Sequence, residues 1–228
     1  MSTPKAILLS GLIAALAIVA LAFAFSRQNP VPAVQPIVEE SAPEPQIVPL
    51  PPPKPITKTY TNAKYGFSVE YPETLVLTED AREMQLSGYI PVCDPDHAIV
   101  CFPIAKNAYE NTNFGGAAFA VHSRGDLKKP TTCGAPSNGE MPDGEANLNG
   151  VTYKKFSFSD AAMSHRLEGE NYRVYKNGRC FELSTRVTTT VYEVYEPGTV
   201  TRFSEDNRSS VQAALDLMLT SFRFVSGS

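Results

Sequence analysis

Three histidines, at positions 97, 122 and 165, and four cysteines, at 93, 101, 133 and 180, are the residues of this 228-residue chain from which chemistry could be built. Cys93-x-x-x-His97-x-x-x-Cys101 offers two thiols, an imidazole and the neighbouring carboxylates of Asp94 and Asp96. Zinc sites usually start from a closer cysteine pair and need a fourth ligand, which no second close cluster supplies. The competing use is oxidation. An even number of cysteines in an exported segment reads as a disulfide framework with three possible connectivities. The favoured one joins Cys93 to Cys101, across a loop whose Pro95, Asp94 and Asp96 form turns, and Cys133 to Cys180. Cys180 has the opposite strand parity to Phe181, Leu183 and Val187 in part of its run, so it faces away from the apolar side, where a polar loop around Cys133 can cover it. No metal and no cofactor is expected.

A triad would need a histidine beside a nucleophilic serine or cysteine, and nothing in the spacing selects one. The sequence contains no G-x-S-x-G, H-E-x-x-H, P-loop, G-x-G-x-x-G or C-x-x-C. His122 ends an apolar run and reads as a rim residue. His165, Arg166, Tyr172 and Arg173 form the most polar concentration near a hairpin and are the candidate binding surface; the competing reading is a solvated strand face. Arg124-Gly125-Asp126 spells an adhesion tripeptide too short to argue from. The acid- and glycine-rich NGEMPDGEANLNG, begun at Asp143, has Leu148 where a calcium loop needs glycine, so it reads as a surface loop.

The elements that must position these side chains are mostly strands. Phe67, Val69 and Tyr71 alternate before Pro72, after a turn bracketed by Asn62 and Gly66. Met84, Leu86 and Ile90 alternate next, followed by runs over 117–121 and 151–158. In ENYRVYKNGRCFELSTRV two β-rich runs flank Asn177-Gly178, the pair that a type I′ turn demands. One helix is predicted near the C-terminus. Ser209 or Ser210 is its expected cap, and Val211, Ala214, Leu215 and Met218 form its apolar face. A final strand over 221–224 follows. The fold class expected is α+β: a mainly antiparallel sheet with a C-terminal helix packed on it.

Three regions are expected. Residues 1–28 hold the uncharged run Ala6–Phe25, which as a helix at about 1.5 Å per residue spans a bilayer core. This reads as a membrane anchor through residues 6–25, or alternatively as a signal peptide cut after Ala24. Residues 29–57 hold ten prolines and read as a disordered, extended linker. Residues 58–228 form the folded domain. Three of the twenty basic and three of the twenty-four acidic residues precede Lys58, so this domain keeps the whole charge of −4. An acidic domain without a basic run is not expected to bind nucleic acid.

Two stretches carry a family likeness. Tyr65-Gly66-Phe67-Ser68-Val69-Glu70-Tyr71-Pro72 at the start, and Leu215-x-x-x-Leu219-x-Ser221-Phe222-Arg223-Phe224 at the end, resemble the bookends of PsbP-like (Mog1/PsbP) domains. The family often has tryptophan after the Tyr-Pro; this chain has none. The resemblance implies an antiparallel sheet closed by a helix and an accessory, non-catalytic role. The functional expectation is an exported, membrane-tethered binding domain of the cell envelope, outside the cytoplasm, whose partner is an envelope protein or component. The alternatives are an envelope hydrolase or metal-dependent enzyme with an unrecognised site, and a purely structural envelope protein.

Overall fold

The structure is a computed structural model that describes residues 56–80, 93 and 95–225. The predicted anchor, residues 29–55 of the linker and the expected strand at Met84–Ile90 lie outside the described residues, which fall within one compact unit, Pro53–Ser228, whose first strand already takes in Thr57, the last residue assigned to the linker. Among the described residues no helix is long and apolar enough to cross a membrane.

A small sheet and a large one share the core. The first contains β1 (Thr57–Asn62), β2 (Phe67–Pro72) and β9 (Arg223–Phe224), in the order β1-β2-β9. The second contains β3 (Ala98–Ile104), β4 (Phe114–Ser123), β5 (Glu140–Leu148), β6 (Val151–Ala162), β7 (His165–Lys176) and β8 (Arg179–Thr190), in the order β3-β4-β8-β7-β6-β5. All of these named strand pairs are antiparallel. A four-residue helical turn, α1 (Pro130–Cys133), and one long helix, α2 (Glu205–Ser221), complete the named elements used below.

Alternation decides which face is dry. Phe119, Val121, Leu183 and Val187 join Phe67, Val69 and Phe102 in the main core. Onto it α2 lays Val211, Leu215 and Met218, at i, i+4 and i+7, with Leu219 beside them. Each such side chain contributes about 1.5–3 kcal/mol by leaving water. The α2 start differs from expectation. Ser204, not Ser209 or Ser210, is the cap, and its hydroxyl accepts from Asn207 N at 3.2 Å, with Glu205 and Asp206 in the first turn. A cap in hand five residues earlier extends the helix beyond its apolar stripe.

The two bookends meet in one joint. Phe67 pairs with Phe224 in the small sheet, and the Phe67 and Phe222 rings stack at 5.3 Å. The Ser221 hydroxyl accepts from Glu70 N at 2.9 Å and donates to Glu70 O at 3.1 Å, tying the last residue of α2 to β2. Asn149 Nδ2 donates to Thr220 O at 2.8 Å and Phe222 O at 2.7 Å, satisfying carbonyls that a helix end leaves bare.

Two further expectations are corrected. The acid- and glycine-rich stretch is not a loop but contains edge strand β5, because it pairs with β6. Its proline and glycine are absorbed by an irregularity between Pro142 and Glu145, with Gly144 at φ 82°. His122 is fully buried rather than on a rim, since β4 is an interior strand and sets it opposite Glu182.

Both disulfides have the favoured connectivity. Cys93 is bonded to Cys101 and Cys133 to Cys180, with Cα–Cα distances of 6.1 and 5.6 Å. The second holds α1 against the sheet face opposite α2.

Candidate functional site

The Asn177-Gly178 turn forms as its residue types require, at φ 52° and 75°, and fixes the register of β7 on β8. That register sets Arg173 opposite Glu182, Asn171 opposite Ser184 and Gly169 opposite Arg186, all on the face turned away from α2. Parity then separates the sequence candidates. Arg173 points to this face. Tyr172 points to the other, where it joins the main core and its hydroxyl donates to Glu170. Burial, and then that bond, raise the Tyr172 pKa.

Arg173, fully buried, anchors a chain of charges. Its Nε donates to Glu182 Oε2, its Nη2 to Glu140 Oε1, and its Nη1 to Ala135 O at 3.0 Å, while its guanidinium lies 4.9 Å from the Phe156 ring centre. Asn171 Nδ2 donates to the same Glu140 Oε1 at 2.6 Å, and Ser137 N to Glu140 Oε2 at 2.6 Å. On the other flank Arg124 Nη1 donates to Glu182 Oε2 at 3.0 Å. Arg124 also grips Asp126 through Nε and Nη2, at 3.0 and 2.9 Å, and His97 Nε2 stands 3.3 Å from that carboxylate. The Arg-Gly-Asp tripeptide is therefore closed on itself.

The electrostatics follow from these contacts. Burial alone works to raise the Glu182 pKa, but the fields of His122, Arg173 and Arg124 and the Arg173 hydrogen bond outweigh it, and the carboxyl titrates below the ordinary glutamate range. The hydrogen bond from Arg124 lowers Asp126 from 3.8 to about 2, and the same bond raises the Arg124 pKa. A carboxylate fastened in its ionised form between two guanidiniums acts as a structural anion. A general acid needs the opposite, a protonated form near neutrality.

This chain of charges floors an open cleft of about 440 Å³. Glu140, Asn171 and Glu182 lie at its base, with Phe158, Leu167 and Arg186 as walls. The Arg186 guanidinium sits 5.6 Å over the Phe158 ring, and its Nε donates to Ser184 Oγ at 3.2 Å. The volume is within the usual range for ligand sites, and the mixture of apolar wall and fixed polar groups is their usual composition. The other two candidates lie at the far end of β7. His165 Nδ1 is 3.2 Å from Thr190 Oγ1, its cross-strand partner. Arg166 lines a separate cleft of about 330 Å³ together with Tyr192, Glu193, Arg202 and Arg208. Sequence reading thus named Arg173 but missed Glu140, Glu182 and Arg124. Glu182 was recoverable, because the Asn-Gly turn alone places it opposite Arg173. Glu140 was not, since it comes from a stretch that read as a loop. Among the described residues no group of three or more His, Cys, Asp or Glu is arranged to hold a metal ion.

No family model matches the sequence, and no curated protein does. Solved structures do. The solution structure of cyanobacterial PsbP (CyanoP) from Synechocystis sp. PCC 6803 is 13% identical, with 79% of this chain and 99% of that one covered and a TM-score of 0.37. LpqN of Mycobacterium tuberculosis, described as involved in cell envelope biogenesis, is 12% identical over 70% and 83% of the two chains, with a TM-score of 0.39. The Ran-binding protein Mog1p of Saccharomyces cerevisiae is 11% identical over 76% and 97%, with a TM-score of 0.38. All three share the PsbP/Mog1 fold. Likeness at TM-scores below 0.5 carries no weight for the site, whose reading rests on the chain's own geometry.

Proposed function

We propose that the chain is an exported, membrane-tethered accessory domain that recognises an envelope protein or component in the Glu140–Asn171–Glu182 cleft and performs no chemistry on it. The carrying observation is the floor of that cleft: buried charges fixed by one another, with Glu182 biased toward its ionised form. Groups held so rigidly are preorganised for recognition and cost little to order when a partner arrives. Two disulfides support an oxidising compartment. The apolar run Ala6–Phe25 and the ten-proline linker support a tether.

The test is photocrosslinking in cells from Asn138 or Ser159, both on the cleft rim, with a crosslinker at exposed Glu205 of α2 as control. The reading expects a reproducible neighbour from the rim that the control does not give. Equal yields from both positions, or none from the rim, would count against it. Ester or glycoside turnover abolished by Glu182→Gln would favour the hydrolase alternative instead.

A further inference from the structure

The domain is net acidic, yet one end of it is basic. Lys64 lies in the turn between β1 and β2, Lys176 and Arg179 flank the β7–β8 turn, and Lys128 and Lys129 precede α1. Ring contacts, a hydrogen bond and a disulfide make these one surface. Arg179 and Lys64 lie 4.8 and 5.2 Å from the centre of the same Tyr65 ring, and Lys176 lies 4.8 Å from that of Phe224. Tyr175, next to Lys176, donates its hydroxyl to Lys128 O at 3.0 Å. The Cys133–Cys180 bridge fastens α1 beside Arg179. Among the described residues none of these five cations has an ion pair with a carboxylate, whereas Lys58, Lys154, Lys155, Arg124, Arg173, Arg202, Arg208 and Arg223 all do.

The placement carries a cost within the fold. Lys176 and Arg179 are direct cross-strand partners, and like charges so placed destabilise a sheet. Two cations also share one tyrosine ring. Among the described residues, none of the acids of this net-acidic domain pairs with these positions. Aromatic rings and the Ser123 hydroxyl, to which Arg179 Nη1 donates at 3.3 Å, offset part of this cost, but no carboxylate among the described residues does, and a local rule broken in this way points to an acidic complement outside the molecule.

We infer that this end is a docking surface for an acidic face of a partner protein. The surface is a spread of point charges rather than a recess, since none of the five lines either cleft described above, so its complement is a macromolecular face and not a small anion. A lipid plane fits less well. An anionic bilayer is unbounded, and the acidic remainder of the domain would be repelled by it, whereas a protein patch is finite and matches the basic end alone. Long-range attraction of this kind raises the association rate and weakens with salt. The inference goes beyond the cleft: a partner can be held here whether or not the cleft is filled.

Fluorescein-labelled poly-L-glutamate titrated with the full chain, read by anisotropy, tests it. The expected result is binding that weakens at least tenfold from low to physiological salt. It should also weaken at least tenfold in Lys64→Glu/Lys128→Glu/Arg179→Glu, and by less than twofold in the control Lys58→Glu/Lys106→Glu/Lys154→Glu. Circular dichroism and a count of blocked thiols show whether each variant is folded; where the triple variant is not, Lys64→Glu alone, on an exposed turn, is read at a threefold loss. Equal affinity of the basic-end variant and the wild type overturns the inference. So does a basic-end variant that loses binding to phosphatidylglycerol vesicles but keeps binding to polyglutamate, because the surface would then be a lipid contact. Failure here leaves the rim crosslinking result untouched, so the two readings fall separately.

Discussion

Arg173 is the residue on which the helix-distal face depends. With both carboxylate partners it is a satisfied buried cation; without one of them it is an unpaired charge in a dry place. Glu182→Gln is therefore expected to destabilise the domain by about 3–5 kcal/mol at neutral pH, read by urea unfolding. The pH dependence has a definite sign. A carboxyl whose folded pKa is depressed contributes stability above its unfolded pKa and loses it as pH falls through the folded value. Glu182 is depressed from 4.5 and Asp126 from 3.8 to about 2. The wild type should then hold its melting temperature down to the ordinary carboxylate range and lose it below, with Asp126 contributing to about pH 2. Glu182→Gln should flatten the upper part of that fall. A melting temperature that rises on acidification would contradict the assignment. Sequence alone gave Arg173 as a polar candidate without its partners, because ion pairs across strands require a register, and two of the four candidates, His165 and Arg166, turned out a strand's length away.

At the level of elements, turn chemistry was the most legible signal. Asn177-Gly178 forms as read, and Asn149-Gly150, which closes β5 on β6 with both residues at positive φ, was equally visible in principle. What hid β5 was its own edge protection: proline, glycine and acids discourage a strand reading while serving to blunt an edge. The start of α2 was misplaced because apolar periodicity marks the buried stripe and not the cap. Two substitutions test the joints. A Cβ on Gly169 would stand 2.0 Å from Thr185 O and 2.7 Å from the Phe158 ring, so Gly169→Ala should cost about 3 kcal/mol or more by forcing β7 and β8 apart. Ser221→Ala removes both hydrogen bonds to Glu70 and should cost about 1–2 kcal/mol. Thermal melts of the two variants should rank in that order; an unchanged Gly169→Ala would mean that the close approach is relieved at no cost.

For the whole molecule, the framework of bonds and bookends was readable because it rests on local signals: cysteine count, strand parity and two short motifs. The assembly of those motifs into one joint, and the gathering at one end of five cations with no carboxylate ion pair among the described residues, are three-dimensional facts with no local signature. The Cys133–Cys180 bridge closes the longer loop, with a sequence separation of 47, and its chain-entropy contribution is about 4 kcal/mol, against about 2.5 kcal/mol for Cys93–Cys101. Denatured, unreduced protein should show no free thiol, and Cys133→Ser/Cys180→Ser should lose more stability than Cys93→Ser/Cys101→Ser. The reverse order would mean that α1 and its flanks are held by the charges rather than by the bridge.

Carboxyl-detected NMR of the folded chain between pH 2 and 8 measures the ionisation of Glu182 itself. The Glu182 side-chain carbon should stay in its ionised position through neutrality and titrate below the ordinary glutamate value. A midpoint above that value, toward neutrality, would make Glu182 a proton donor and the cleft a place for chemistry.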